Sequence, residues 1–299
     1  MSMDCPHRFM YNDNHIHLRN SEREWIAMAM LDFDTLEEKF GIRLLEASEA
    51  VYTVNAADLL NETHMRDFIA AYGPMMKALD DTAAAAYFSS WLSGIALAQQ
   101  YMVSIYNTAL DLSLANISVC LIPASGYTRI AFHLHQWREN EGPSASLARG
   151  FWREAVLTEF YGETMRPLME RLSAVSGLHI GQLWGQLPTK FNYYMAAFQK
   201  ITRRESQRKR LADDYEYLKQ ELDPAVFGRS KNPFDVKPRM IEHLLDASQQ
   251  VRMKNSCCRY IHTENGDYCY TCPRLKEEER AVLRRDYRAK ASAAASASS

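Results

Sequence analysis

The sequence predicts a mainly α-helical protein with one small β-hairpin, an α+β fold in which a helical body precedes a C-terminal cysteine motif. Three observations carry this. Residues 82–110 hold no charge and are apolar nearly all round, so they read as a central buried helix. Apolar residues spaced three and four apart recur on both sides of that run. From Ile117 to His135 the period changes to two, around Pro123-Ala-Ser-Gly126, which marks a hairpin.

In order along the chain, residues 1–33 show no clear period and read as an arm or lead-in. Their His15 and His17 form an H-x-H pair, read as packed or solvent-facing. A helix is expected from Thr35 behind Asp34, carrying Leu36, Phe40, Leu44 and Leu45. A second starts near Glu62 and is interrupted at Gly73-Pro74. Asp80 and Asp81 suit the start of the central helix, where the dipole favours acids. On the second hairpin strand Ile130, Phe132 and Leu134 share one face. Arg129, His133 and His135 share the other, because side chains alternate. Glu141-Gly-Pro143-Ser144 reads as a turn and cap for a helix bearing Leu147, Phe151, Trp152, Val156 and Phe160. Gly162 and Pro167 disturb that pattern, and Gly177 ends it. A helix from Pro188 runs on into residues 200–210, where Lys200, Arg203, Arg204, Arg208, Lys209 and Arg210 crowd six positive charges. Pro224, Gly228, Pro233 and Pro238 make 223–238 the candidate linker. A helix from Arg239 through Ile241, Leu244 and Leu245 leads to the cysteines, and a charged helix follows them. The organisation expected is a substrate-docking body over 1–238, a cofactor-binding segment over 239–290 and a disordered Ala/Ser tail over 291–299.

Composition is that of an ordinary globular protein, 47% apolar and 24% charged. A formal net charge of −2 gives no overall pull towards nucleic acid. The start of the chain has no apolar signal core, and the uncharged run carries too many Ser, Gln and Asn for a membrane span. The expected location is therefore the cytosol, where clustered cysteines serve metals or redox chemistry more often than disulfides.

Four of the six cysteines fall in residues 257–272, in the pattern C-C-x10-C-x2-C. Asn265-Gly266-Asp267 is a turn signal that can fold Cys257 and Cys258 back against Cys269 and Cys272. Structural zinc takes its ligands as two spaced knuckles, and a vicinal pair makes a poor one. A two-iron cluster spreads four thiolates over two metals, which adjacent cysteines reach more easily. Spacing thus favours a [2Fe–2S] cluster over zinc and leaves zinc open. His262 could replace one ligand. Cys5 and Cys120 read as plain thiols, Cys120 packed in its strand.

Arg252-x4-Cys257-Cys258-x10-Cys269-x2-Cys272-Pro273, at the end of a helical protein, resembles the ferric siderophore reductases of the FhuF type. Leu183-Trp184-Gly185 resembles a stretch upstream of the cysteines in that family. Arg259 and Gln186 depart from its pattern, where an apolar residue and an asparagine are usual. The resemblance implies a [2Fe–2S] cluster on Cys257, Cys258, Cys269 and Cys272. It also implies one-electron reduction of Fe(III) in an imported siderophore, with hydroxamates the expected class. Hard hydroxamate or catecholate oxygens hold Fe(III) tightly and Fe(II) weakly, so one electron releases the ion. Substrate-binding candidates are Arg129, His133, His135 and Trp184. Arg252, Lys254 and Arg259 would raise the cluster potential if close, and Tyr260, Tyr268 and Tyr270 would shield it. No G-x-G-x-x-G follows a strand, so a separate donor is expected, a ferredoxin or a flavin or NAD(P)H reductase. The basic run at 200–210 is its natural dock. Peripheral association with the inner membrane is a further expectation, and nucleic acid is not a partner. Two other readings stand beside this one: a non-enzymatic protein with structural zinc, and a piece of siderophore biosynthesis, which the helical body also resembles.

Overall fold

The computed structural model of the protein describes residues 33–297. His15, His17 and Cys5 lie outside the described residues. The architecture is mainly α with small sheets, as the periodicities predict.

Helix α1 spans Glu62–Met75 and helix α2 spans Asp81–Tyr101. Helix α2 is the axis of the body. Asp80 caps it, its carboxylate accepting the Ala83 N–H at 2.9 Å. Nearly every side chain from Ala83 to Tyr101 is buried. A helix buried all round must satisfy its own polar side chains, and this one does so for Ser89, Ser93 and Gln99, while Gln100 Oε1 has no hydrogen-bond partner among the described residues. Ser89 donates to the Leu183 carbonyl at 2.7 Å. Gln99 exchanges two hydrogen bonds with the backbone of Leu110. Gly94 is required by close approach, because a Cβ there would collide with the Phe40 carbonyl. The helix runs on into a π-helical turn, Met102–Tyr106, which stops at Asn107 in the left-handed region.

Strands β1 (Ile42–Arg43), β2 (Tyr52–Asn55), β4 (Ile117–Ala124) and β5 (Tyr127–Leu134) form one sheet in the order β1-β5-β4-β2. The predicted hairpin is β4–β5, paired from Ile117↔Leu134 to Ala124↔Tyr127. One face, with Val119, Leu121, Ile130 and Phe132, joins α2 in the main core. The other carries Cys120, Ile122 and Ala131 under Ala47 and Ala50. A second small pair joins β3 (Thr108–Leu110) to β6 (Glu139–Glu141).

Helices α3 (Ser146–Glu159) and α4 (Arg166–Ser176) are joined by a π-helical segment, Phe160–Met165, and end at Gly177 with φ +72°. Helix α5 (Ile180–Trp184), α6 (Leu187–Ile201) and α7 (Glu205–Gln220) follow. Strands β7 (Met240–Glu242) and β8 (Gln250–Arg252) pair before the cysteines, and α8 (Glu277–Ala297) comes after them.

Several expectations are corrected. The helix expected to reach Leu45 is one π-helical turn, Thr35–Lys39. Gly41, at φ +74°, ends it and turns Ile42 into the sheet beside Phe132. Pro74 does not interrupt α1, because it falls in the last turn. Helix α3 has no side-chain cap, and its Leu147 and Phe151 are 76% and 66% exposed. Only its C-terminal half reaches the core. The helix from Pro188 ends at Ile201, so the basic run spans a break between α6 and α7. Residues 223–238 are no free linker: Phe227 and Phe234 are fully buried against Tyr161 and Phe191. The helix expected over 239–245 is strand β7. There His243 Nδ1 accepts the Leu245 and Asp246 N–H groups, and Asp246 accepts from Ser248, building a turn instead. The Ala/Ser tail, expected to be disordered, continues α8 to Ala297, which suits alanine as the strongest helix former.

Candidate metal centre

The cysteine loop is seated on the N-terminal end of α2 and on the turn between α5 and α6. Gln182 and Gln186 both donate side-chain N–H groups to the Cys257 carbonyl, at 3.3 and 3.0 Å. Asn255 donates its backbone N–H to Thr189 Oγ1 at 3.1 Å, and Ser256 donates to the Gln182 carbonyl. Gly185 makes room, since a Cβ there would lie 2.8 Å from that of Ser256. The Leu183–Gln186 stretch is therefore the seat of the vicinal pair. Arg259, at φ +61°, turns its guanidinium onto Thr82 Oγ1 at 3.1 and 2.7 Å. His262 Nδ1 lies 2.7 Å from Asp80 Oδ2, and the Leu79 N–H donates to the His262 carbonyl. The turn at Asn265-Gly266 then closes, with Gly266 packed where any Cβ would strike the Tyr260 carbonyl.

Helix α8 grips the other half. Arg280 is buried, and its guanidinium donates to the carbonyls of Tyr270, Cys272 and Leu275 at 3.0 to 3.1 Å. Arg288 holds the β7–β8 turn through the carbonyls of Leu244 and His243. Tyr268 and Leu283 pack beside Cys257, Cys272 and Leu275.

The turn brings all four cysteines together as two pairs. Cys258 Sγ and Cys269 Sγ are 3.6 Å apart, and Cys257 shares a hydrogen bond with Cys272. Each pair takes one sulfur from the vicinal dipeptide and one from the C-x2-C. A metal with bonds of about 2.3 Å to sulfur separates two tetrahedral thiolates by about 3.8 Å, so the Cys258–Cys269 spacing fits two ligands of one metal. Among the described residues no three or more Cys, His, Asp or Glu side chains converge as one metal-holding group.

Donors face the sulfurs. Lys254 Nζ is 3.3 Å from Cys258 Sγ and 3.4 Å from Cys269 Sγ. The Arg259 N–H points at Cys257 Sγ at 3.5 Å, and the Arg274 N–H at Cys272 Sγ at 3.4 Å. The hydrogen bond from the Cys272 thiol holds the Cys257 thiol below its usual range. The same bond holds Cys272 well above the usual thiol range. Cys257, Cys258 and Cys272 are buried and Cys269 is half-buried.

The other expected site residues go elsewhere. His262 is engaged by Asp80 rather than by a sulfur. Arg129 and His133 are half-buried on the outer face of the sheet, away from α2, and His135 binds Ser118 Oγ at 2.8 Å. Trp184 is 1% exposed and packs edge-on to Phe227, so it is a core residue. In the basic run Arg208 pairs with Glu205, and Arg210 donates to the Ile105 carbonyl at 2.7 Å. Burial pushes the Arg210 guanidinium down. Tyr270 donates to the Glu242 carbonyl. Lys254 was anticipated near the cysteines; Arg280 was not, and nothing marks it among the charges of its helix.

A cavity of about 400 Å³ opens beside the cysteine loop, between the end of α1, the Tyr87 and Trp91 side of α2, and the tip of the β4–β5 hairpin. Tyr260 and Thr263, just past the vicinal pair, form its near wall. None of the four anticipated substrate residues lines it.

No family model matches the chain, and no curated protein matches it. Among the described residues no helix is long and apolar enough to cross a membrane.

Proposed function

We propose that this chain is an iron–sulfur ferric-chelate reductase acting in the cytosol. It accepts one electron from a separate protein, a ferredoxin or a flavin or NAD(P)H reductase. It passes that electron to the Fe(III) of an imported siderophore, which then releases Fe(II). The observation that carries the reading is the crossing of four cysteines into two pairs, each contacted by N–H donors. A single structural zinc needs four ligands around one point. Two sulfur pairs suit two irons. The cysteine spacing, which resembles that of the FhuF-type reductases, supports the same choice. A protein with structural zinc remains the second reading.

A [2Fe–2S] group held by Cys257, Cys258, Cys269 and Cys272 supplies one-electron chemistry, at a potential set by nearby charge, hydrogen bonds to sulfur and exposure. The chain's residues set those three conditions. Lys254 brings a full positive charge against Cys258 and Cys269. The Arg259 and Arg274 N–H groups aim their dipoles at Cys257 and Cys272. All three favour added negative charge and so raise the potential. Tyr268, Leu275 and Leu283 limit water around the buried sulfurs, while half-buried Cys269 leaves one edge open to a partner.

Anaerobic purification tests the reading. The protein should absorb in the visible and hold about two irons per chain. A colourless protein with one zinc would sink it. Cys269→Ser should remove both the colour and the release of iron from a ferric chelate. Iron release that persisted without the colour would place the reduction elsewhere.

A further inference from the structure

We propose that the four cysteines, when they hold no metal, are a reversible oxidation site that closes into two crossed disulfides, Cys258–Cys269 and Cys257–Cys272. This rests on how the sulfurs are placed and not on the reductase reading. Cys258 Sγ and Cys269 Sγ already lie 3.6 Å apart, and the Cys272 thiol hydrogen-bonds Cys257. A disulfide needs a separation of about 2.05 Å, so the first pair must close by about 1.5 Å, which side-chain rotation supplies. The backbone between the pairs is in place beforehand. The Thr263 N–H donates to the Tyr260 carbonyl at 3.0 Å and the Gly266 N–H to the Thr263 carbonyl at 2.9 Å, which folds the spacer back. The entropy of closing that loop is thus lost on folding, not on oxidation.

The same grips disfavour the two pairings that sequence neighbours would make. A vicinal Cys257–Cys258 bond closes a small ring through the peptide between them, which a planar trans peptide resists. The carbonyl of that peptide accepts from Gln182 and Gln186 at 3.3 and 3.0 Å, so it cannot turn without losing both bonds. A Cys269–Cys272 bond would draw both sulfurs away from partners they already meet. Its turn is fixed as well. The Cys272 N–H donates to the Cys269 carbonyl at 2.8 Å, and Arg280 holds the Cys272 carbonyl at 3.0 Å.

The oxidant is a low-molecular-weight disulfide such as oxidised glutathione. Cys269 is the half-buried member and attacks first, as its thiolate. A bond forms from Cys269 Sγ to one glutathione sulfur, the glutathione disulfide breaks, and one glutathione thiolate leaves. Cys258 then attacks Cys269 Sγ and expels the second. The leaving thiolates take up the protons that the two cysteines gave up. The cysteine pair loses two electrons and the glutathione disulfide gains them. Cys257 and Cys272 repeat the exchange with a second molecule. Bonded to one another, the sulfurs offer no thiolate to a metal, so oxidation and metal loading exclude each other. A reversible exchange of this kind is the form that disulfides take in a reducing compartment.

Peptide mapping of the full-length protein tests the proposal. The protein is stripped of metal with a chelator, treated with oxidised glutathione, alkylated, and digested with trypsin without reductant. Cleavage after Lys254, Arg259 and Arg274 puts the vicinal pair on residues 255–259 and the other two cysteines on residues 260–274. Crossed bonds should recover these peptides as one joined species, four hydrogens lighter than their sum. Alkylation of the four cysteines should fall from complete to none, and return after dithiothreitol. Cys257→Ser should keep the peptides joined and leave Cys272 open to alkylation; Cys258→Ser should leave Cys269 open instead. Two unjoined peptides, each with an internal bond, would overturn the assignment. So would four cysteines that still alkylate, or the reverse pattern in the two variants. The two readings fail separately. A colourless zinc protein that gives the crossed bonds ends the reductase and leaves this site. A two-iron protein whose stripped form gives unjoined peptides ends this site and leaves the reductase.

Discussion

The helical body and the cysteine segment are held together by different physics. Around α2 almost every side chain is apolar and buried, and the few polar ones are closed off within the core. The segment from β7 to Cys272 has little apolar surface of its own. Its shape comes from side chains reaching to backbone carbonyls: Gln186 to Cys257, Arg280 to Cys272, Arg288 to Leu244. The body should therefore fail through overpacking or cavities, cooperatively and as a whole. The segment should fail locally, one grip at a time, while the body stays folded.

The sharpest break of that contrast on the body side is Gly94→Val. The new side chain meets the Phe40 backbone, which cannot give way without moving the strand that follows. A loss of about 3 kcal/mol is expected, the upper end for overpacking, with a single cooperative transition at lower denaturant. An unchanged midpoint in urea would show that the two elements do not touch as described. On the segment side, Arg280→Met removes three carbonyl contacts around the second cysteine loop. About 2 kcal/mol is expected there, confined to hydrogen exchange of residues 268–288, with the main transition unmoved. If the whole protein melts earlier by the same amount, the segment is not a separate local unit.

Lys254→Met tests electrostatics without disturbing either frame. Its stem remains and its charge leaves two sulfurs. A charge-assisted contact of about 1.5 kcal/mol corresponds to about 60 mV for one electron, so under the proposed iron–sulfur reading the midpoint potential should fall by roughly that amount. Unaltered potential with altered iron content would make Lys254 a structural residue only.

The same contrast explains what could be read in advance. The central helix and the hairpin were legible because burial writes a period into apolar residues, 3.6 in one and 2 in the other. Where side-chain hydrogen bonds decide the path, periodicity misleads. Ile241, Leu244 and Leu245 look helical, yet His243 accepts the Leu245 and Asp246 N–H groups and Asp246 accepts the Ser248 N–H, which makes a strand and turn. Pro and Gly between 223 and 238 suggested a linker, but Phe227 and Phe234 anchor it. The cysteines were visible from spacing alone, and their meeting in space agrees with the turn signal at Asn265-Gly266. Gln186, which looked like a departure from a familiar pattern, is a donor to the vicinal pair. The cavity was not legible, since four stretches far apart in sequence each lend it a few residues.

Lys190 lies on the seam between the two regions and gives the smallest effect. Its neighbour Thr189 accepts the Asn255 N–H, while its own ammonium is enclosed by the body beside Ser90 and Trp91. Burial pushes it down to about 7 from an ordinary value of 10.5. Between those two pH values the unfolded chain binds a proton that the folded chain has released. Stability from this group therefore rises with pH across the window, at no more than about 1.4 kcal/mol per unit. From pH 7 to 8 a gain of about 1 kcal/mol is expected in the wild type and none from this source in Lys190→Met. Urea midpoints of both proteins at the two pH values decide it. Parallel slopes would mean that the ammonium keeps its charge inside the fold, held by the Ser90 carbonyl and the Trp91 ring against the cost of leaving water.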